Sequence, residues 1–128
     1  MKLNIATSCE NAPKKELIKN LTIFFASYDI PQAMQYLADD VIWTLVGDKP
    51  IMGREQFAAA LMEMAHNKAS ELTIHSIVTH GKEAAINGEM VMSDGSVFGF
   101  ADFYEFTSAK GSQVKSITSY VVQKIQTE

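Results

Sequence analysis

Two carboxylates near a tight turn are the residues of this 128-residue sequence best placed for acid–base chemistry. The turn is Asp94-Gly95, a pair typical of a two-residue β-hairpin loop when β-rich segments flank it. Counting outward from such a loop pairs Glu89 with Phe100 and Asn87 with Asp102. Glu89 and Asp102 then become diagonal neighbours on one face of the sheet, roughly 5.5–8 Å apart at Cβ.

The surroundings predicted for this pair are largely apolar. The same face of the hairpin would carry Asn87, Val91, Phe98, Phe100 and Tyr104. Desolvation and mutual repulsion would raise the pKa of one carboxyl, which leaves an acid beside a base. A plainer interpretation is equally open, in which solvent, Lys115 or Lys124 on a neighbouring strand satisfies both carboxylates.

The opposite face of the predicted hairpin is also apolar. A sheet that is apolar on both sides needs two covering layers, and the helices supply one of them. A second subunit is the simplest cover for the other face, so we predict a homodimer. Its interface would contain Met90, Met92, Val97 and Phe103.

The elements that position these residues are helices first and strands afterwards. Apolar residues at spacings of three and four predict a helix over 14–28, and Asp29 and Pro31 begin a short second helix that stops near 39–40. A strand at 41–46 and a helix at 54–66 follow. Four strands are then predicted at 72–80, 84–93, 96–106 and 114–125. This order predicts an α+β fold in which helices cover one face of an antiparallel sheet.

Composition narrows the classes of function. A net charge of −4 with a single arginine argues against nucleic-acid binding, and no apolar run is long enough to span a membrane. We therefore expect a cytoplasmic protein with residues 1–13 as a loose leader and 14–128 as one domain. No metal or cofactor site is predicted, because His75 and His80 face opposite ways on one strand and Cys9 is an isolated cysteine.

Several segments together resemble the nuclear transport factor 2-like superfamily, which includes SnoaL-like polyketide cyclases and ketosteroid isomerases. They are the residues 36–40 (Tyr-Leu-Ala-Asp-Asp), the strand with Trp43, and the residues 50–57 around Gly53-Arg54-Glu55. The resemblance runs from about Leu17 to Ile125. It implies a cystatin-like, cone-shaped α+β fold with a strongly bent, mainly antiparallel sheet, N-terminal helices on its concave face, and frequent dimers.

The resemblance also bears on chemistry. Asp102 matches the late-strand aspartate of ketosteroid isomerases, but the positions of their tyrosine and of their base fall near Leu21 and Leu45, so steroid-isomerase chemistry is not expected. Glu89 could replace the missing base. We predict a pocket for a hydrophobic small molecule, with Asp102 and Glu89 as cofactor-independent acid–base residues; a non-catalytic ligand-binding or dimerisation module is the alternative. The ligand-binding residues would be Trp43, Asn87, Phe98, Phe100, Tyr104, Ile117, Ser119 and Val121.

Overall fold

The first helix forms where apolar residues recur at three- and four-residue spacings. In a computed structural model, which describes residues 1–6, 8 and 12–125, helix α1 spans Pro13–Ala26 and buries Ile18 and Leu21 completely. Just beyond it, Tyr28 adopts a positive φ of 55°, which turns the chain out of the helix. The predicted helix at 14–28 is therefore confirmed to within two residues at either end.

The second helix is shorter than its sequence pattern indicates. Helix α2 spans Ile30–Met34, and the Asp29 side chain accepts a hydrogen bond from the Gln32 amide, as predicted for its cap. The predicted continuation to residues 39–40 is wrong, because the Val114 amide hydrogen-bonds the Tyr36 carbonyl at 2.8 Å. This contact draws the chain into the sheet before another helical turn can form.

The next segment joins the sheet to the third helix. Strand β2 spans Leu37–Leu45, β3 spans Ile51–Met52 and helix α3 spans Arg54–Met64. Gly53 precedes the helix at a φ of 86°, which favours glycine, and its amide donates to the Val41 carbonyl at 2.7 Å. Arg54 forms an ion pair with Asp39. The segments 36–40 and 50–57, on which the family resemblance depends, thus contact each other.

The remaining strands form a meander. They are β4 (Ala69–His80), β5 (Glu83–Met92), β6 (Val97–Phe106) and β7 (Val114–Gln123). Within the described residues the sheet has seven strands in the order β1-β4-β5-β6-β7-β2-β3. The pairs β1–β4 and β2–β7 are parallel and the other pairs antiparallel. The prediction of a mainly antiparallel α+β fold is confirmed.

The N-terminal residues differ from the prediction. Strand β1 (Lys2–Ile5) pairs in parallel with β4, and the Asn4 side chain donates to the Thr73 hydroxyl at 3.2 Å. The prediction of a loose leader over 1–13 is therefore wrong for these residues. This pairing is a contact between distant parts of the chain, so the local sequence pattern does not reveal it. Cys9 lies outside the described residues.

The sheet is curved and does not close, and the helices pack on its concave side. A register shift between Ile74 and Ser76 in β4 introduces a bulge, which bends a strand and increases its twist. Phe57 and Leu61 of α3 join Ile18 and Leu21 of α1 in a core against the sheet. No helix in the described part of the chain is long and apolar enough to cross a membrane.

Candidate functional site

A cavity of about 390 Å³ lies between the helices and the concave face of the sheet. This volume falls within the range of small-molecule pockets. The lining is largely apolar and combines residues of α1, α3 and several strands. Its members are Thr22, Phe25, Ala26, Tyr28, Trp43, Leu45, Phe57, Leu61, Met64, His66, Asn67, Ala69, Met90, Met92, Phe98, Phe100, Asp102, Tyr104, Ile117, Ser119 and Val121.

Three stacked rings form one wall of the cavity. Trp43 stacks on Phe57 with ring centroids 4.6 Å apart and planes at 15°, and Phe57 stacks on Phe25 at 5.4 Å and 19°. The rings come from β2, α3 and α1 respectively. Stacked aromatic pairs are favourable beyond the area that they bury. This stack therefore fixes both helices against the sheet and gives the cavity a defined wall.

Asp102 is the carboxylate of this cavity among the described residues. It lies on the concave face of β6, opposite Ile86 of β5 and Ser119 of β7. Burial raises the pKa of Asp102 to about 6, and a hydrogen bond from the Ser119 side chain partly opposes the rise. At neutral pH the carboxyl is mostly ionised, and lowering the pH to about 6 protonates half of the molecules.

Ser119 connects Asp102 to the aromatic wall. The indole Nε1 of Trp43 donates to Ser119 Oγ at 3.0 Å, and Ser119 is only 5% exposed. A serine hydroxyl has one hydrogen to donate. Since Oγ already accepts from Trp43, that hydrogen is available to Asp102. The three side chains form a polar relay at the inner end of an apolar cavity.

Tyr104 supplies a second polar group beside Asp102. It is 3% exposed, and its hydroxyl has no hydrogen-bond partner in the part of the chain that the structure describes. Burial and the negative charge of Asp102 both raise the pKa of Tyr104, while the Thr22 hydroxyl, which is close to that of Tyr104 but outside hydrogen-bonding geometry, partly opposes them. A buried polar group without a partner is costly unless something else satisfies it. A ligand in the cavity would be one such partner.

The β5–β6 turn has a different length from the prediction. The loop contains three residues, Ser93-Asp94-Gly95, because Met92 rather than Ser93 bonds across to Ser96, at 2.8 Å. The Gly95 amide donates to the Met92 carbonyl, and Gly95 has a φ of 88°. A turn followed by a left-handed glycine is the common three-residue hairpin. Its extra residue shifts the register by one and reverses every side chain of β5.

Glu89 therefore does not join Asp102. It pairs across the sheet with Gly99 and faces outward, where Lys124 and His75 contact its carboxylate. The hydrogen bond from Lys124, followed by that from His75, lowers the pKa of Glu89. The prediction of a Glu89–Asp102 pair is wrong. For Glu89 the plainer interpretation, a carboxylate held by Lys124, describes the structure.

The same shift displaces four other predicted residues, of which Val91 now lies opposite Val97 on the outer face and not in the cavity. Asn87 is exposed on the outer face, where Ser76 hydrogen-bonds its side chain, so its predicted position in the pocket is wrong. Met90 and Met92 line the cavity, so their predicted position on the outer face is also wrong. On β6 the predicted faces are correct: Phe98, Phe100, Asp102 and Tyr104 line the cavity, and Phe103 is 51% exposed outside. Val97 also lies on the outer side.

The remaining predicted pocket residues do line the cavity. They are Trp43, Ile117, Ser119 and Val121. What sequence reasoning missed is the helical side, above all Thr22, Phe25 and Tyr28 of the α1 region and Met64 of α3. The signal is present in the sequence, since Phe25 and Tyr28 are spaced by three on the apolar stripe of the helix predicted over 14–28. That stripe, however, does not distinguish a core contact from a cavity wall.

Tyr28 and Asn67, which line the cavity, belong to a polar network that joins three connecting segments. The Tyr28 hydroxyl donates to the Asn67 carbonyl at 3.2 Å. The Asn67 side chain donates to Asp94 at 3.2 Å and accepts from Ser93 at 3.0 Å. These hydrogen bonds connect the end of α1, the loop after α3 and the β5–β6 turn beside the cavity.

No group of three or more His, Cys, Asp or Glu residues converges as a metal site within the described residues.

The helices and the curved sheet together form a cone with a cavity inside it. This arrangement is typical of one class of small α+β proteins. The SnoaL-like domain family matches residues 20–115, and the chain belongs to that family. This match confirms the resemblance to the nuclear transport factor 2-like superfamily. A search of curated proteins finds no match.

Solved structures share the fold at low sequence identity. A nuclear transport factor 2-like protein of unknown function from Burkholderia xenovorans aligns with a TM-score of 0.75 and 16% identity over 94% of this chain and 91% of that one. A proposed ketosteroid isomerase from Kribbella flavida gives 0.73 and 17% over 90% and 82%. A proposed SnoaL-like polyketide cyclase from Shewanella denitrificans gives 0.73 and 10% over 88% and 92%. At these identities the likeness is one of fold.

Proposed function

We propose that this protein binds a hydrophobic small molecule in the cone cavity, with a polar group of the ligand at Asp102 and Tyr104. The observation that carries this proposal is the inner end of the cavity, where a desolvated carboxyl and an unpartnered hydroxyl meet inside aromatic walls. Pockets that bind small molecules combine apolar walls with a few convergent polar groups. Two of the structural neighbours carry the names of small-molecule enzymes, which supports the same class of ligand here.

A fluorescent probe tests the binding proposal. We expect prodan, a neutral hydrophobic dye, to bind with a blue-shifted emission and to lose affinity at least tenfold in Met64→Trp, because Met64 lines the cavity. Met62→Trp is the matched control, since Met62 lies on the same helix and is 68% exposed. Equal binding by both variants, or no binding by the unmodified chain, would refute the proposal.

Proton transfer by Asp102 is the second candidate function. The pKa of Asp102 near 6 suits a base that works close to neutral pH. In such a reaction its carboxylate takes a proton from carbon next to a ligand carbonyl, and the Tyr104 hydroxyl hydrogen-bonds the enolate oxygen. The cavity offers no second carboxylate within the described residues, since Glu89 faces outward and Leu45 occupies the position of the family's base. A mechanism with two separate carboxylates is therefore not supported.

Hydrogen exchange separates catalysis from simple binding. A panel of hydrophobic ketones in deuterated water is expected to exchange its α-protons faster with protein, with a rate that rises through a pKa of about 6. Asp102→Asn should abolish the acceleration, and Glu89→Gln should retain it. Ketones that bind without accelerated exchange would leave the chain as a non-catalytic binding module.

We also propose that a second copy of the chain covers the outer face of the sheet. Phe103 and Tyr120 form an edge-to-face pair there with centroids 5.9 Å apart, and both are about half exposed. Val97 lies on the same side of β6, and Val122 beside them is 67% exposed. Contiguous exposed apolar side chains of this kind mark an interaction surface.

Sedimentation velocity tests the dimer. A dimer at micromolar concentration is expected for the unmodified chain, and a monomer for Phe103→Lys. Met62→Lys is the control, because it places the same charge at an exposed apolar residue on α3. A monomeric unmodified chain would refute the dimer. A cytoplasmic location is a further part of the proposal, and cell fractionation tests it.

A further inference from the structure

The charges of the cavity lining are unbalanced. Among the described residues that line the cavity, Asp102 is the one carboxylate, and none of them is lysine or arginine. No ion pair involves Asp102 in the described part of the chain, in contrast to Glu89, which contacts Lys124. An ionised carboxylate in an apolar cavity lacks the counter-charge that buried charges usually have. A ligand with a carboxylate of its own would be repelled, whereas a cationic ligand would supply that counter-charge.

The aromatic walls favour the same kind of ligand. Phe57 lies between Trp43 and Phe25 in the stacked wall, so the ring faces left for a ligand are those of Trp43 and Phe25, together with Phe98 and Phe100 on the sheet side. The faces of aromatic rings carry negative potential and attract cations, most strongly for tryptophan and when the cation is desolvated. Trp43 also touches the relay to Asp102 through its hydrogen bond to Ser119. The negative charge of Asp102 and the Trp43 indole, the largest ring of the cavity, thus lie close together.

The hydrogen-bonding capacity at the inner end completes the pattern. Asp102 accepts from Ser119 and has further lone pairs to fill. The Tyr104 hydroxyl is unpartnered among the described residues, and its oxygen can accept a hydrogen bond. A protonated primary amine carries three N–H donors and a protonated secondary amine carries two, so either can donate a hydrogen bond to each of the two oxygens. A ketone could accept from Tyr104 but would leave the charge of Asp102 uncompensated.

From this geometry we infer that the ligand of the cavity is a hydrophobic amine, bound as its cation with the ammonium group between Asp102 and Tyr104. The inference rests on the proposed binding function and specifies its ligand class. The apolar body of the amine occupies the aromatic part of the cavity, and the charged end lies innermost.

Binding of such an amine depends on pH through Asp102. Ser119 on β7 hydrogen-bonds this carboxyl, Ile86 on β5 pairs with Asp102 across the sheet, and the charge of Asp102 acts on Tyr104 of the same strand. Thr22 of α1 and His66 also line the cavity, and His66 is exposed. Protonation of Asp102 removes the counter-charge, while the amine itself stays protonated up to about pH 10. Because the pKa of Asp102 is about 6, amine affinity should fall about tenfold between pH 7.5 and pH 5.

Three probes of equal size and different charge test the inference. They are 4-phenylbutylamine, 4-phenylbutanol and 4-phenylbutanoate. Trp43 is the chain's one tryptophan and lines the cavity, so its fluorescence reports occupancy directly. At pH 7.5 the amine is expected to bind at least tenfold more tightly than the alcohol, and the carboxylate most weakly. Lowering the pH to 5 should weaken the amine about tenfold and leave the alcohol unchanged.

Variants assign the effect to Asp102. Asp102→Asn should bring the amine to the affinity of the alcohol, while Glu89→Gln, on the outer face of the sheet, should retain the preference and its pH dependence. If the alcohol binds as well as the amine to the unmodified chain, the inference is overturned and the binding function stands. If none of the probes and no prodan binds, the proposed function itself fails. The pH series on the unmodified chain keeps the inference testable should Asp102→Asn not fold.

Discussion

Asp102 and Glu89 lie on opposite faces of the same sheet, Asp102 toward the cavity and Glu89 toward solvent. Their environments shift their pKa values in opposite directions: burial raises that of Asp102 to about 6, and Lys124 lowers that of Glu89. A substitution at Asp102 therefore tests the role of the cavity carboxylate, and the same substitution at Glu89 is its matched control. A substitution at Asp102 changes the cavity, whereas the matching substitution at Glu89 changes the outer face alone.

Asp102→Asn is expected to stabilise the protein above pH 7. A carboxyl whose pKa is raised on folding binds protons more readily in the folded state, so its contribution to the free energy of unfolding falls as pH rises from about 4 through about 6. Removing the charge should raise the free energy of unfolding at pH 8 by about 1–2 kcal/mol. The gain should shrink toward pH 4. Urea denaturation of both chains measures it, and a variant less stable than the parent at pH 8 would contradict the burial of this charge.

Tyr104→Phe tests the unpartnered hydroxyl. A buried hydroxyl without a hydrogen bond destabilises the folded state, so its removal should raise the free energy of unfolding by about 1 kcal/mol. Tyr120→Phe is the control: Tyr120 is 48% exposed, and we expect a change within about 0.5 kcal/mol. A clear loss of stability in Tyr104→Phe alone would mean that the hydroxyl has a partner in the free protein.

The hairpin register depends on Gly95. Its φ is 88°, and no atom lies within 4 Å of the position that a Cβ would take, so a side chain there meets backbone strain but no clash. We expect Gly95→Ala to lower the free energy of unfolding by about 1 kcal/mol, and Gly95→Asn to lower it less, because asparagine tolerates this conformation. Thermal unfolding of the two variants measures the difference. A Gly95→Ala variant as stable as the parent would argue against the three-residue turn.

Gly88 is required for a different reason, which is space. A Cβ at this position would lie 2.0 Å from the Thr73 carbonyl oxygen and 3.0 Å from the Phe100 ring. Gly88→Ala should therefore lower the free energy of unfolding by about 2–3 kcal/mol, because the β4 backbone at Thr73 must move away from the new Cβ and the Phe100 ring must shift as well. Gly99→Ala is the control, since the nearest atom there is 4.0 Å away. Similar unfolding midpoints for the two variants would contradict the close approach of β4 and β6 to Gly88.

Local sequence patterns predicted much of the fold. The apolar stripe of α1, the Asp29 cap and the helix after Gly53 all reflect interactions within a few residues, and each is present in the structure. The predicted end of α2 near 39–40 is wrong because Val114 hydrogen-bonds Tyr36, and the predicted loose leader is wrong for Lys2–Ile5 because β1 pairs with β4. These contacts join residues far apart in the chain, so no local pattern carries them.

For the candidate site, the predicted orientation of the side chains is correct on β6 and wrong on β5. The inward face of β6 was correct from Phe98 to Tyr104, but one extra loop residue at Ser93 reversed β5. Side chains alternate with a period of two, so a single-residue shift exchanges Glu89 for Met90 in the cavity. The Asp94-Gly95 pair fits both loop lengths. A two-residue loop of type I′ requires a left-handed conformation at both Asp94 and Gly95. In the three-residue loop that the structure has, only Gly95 of this pair is left-handed.

The pKa of Asp102, measured from its carboxyl ¹³C chemical shift with and without saturating prodan, tests most directly whether this carboxyl belongs to a ligand cavity. The free protein is expected to titrate near pH 6, and the bound dye should raise the pKa further, because it replaces water next to the carboxyl. Glu89, titrated in the same spectra, should not respond to the dye. A pKa for Asp102 near 3.8 that no ligand changes would contradict the account.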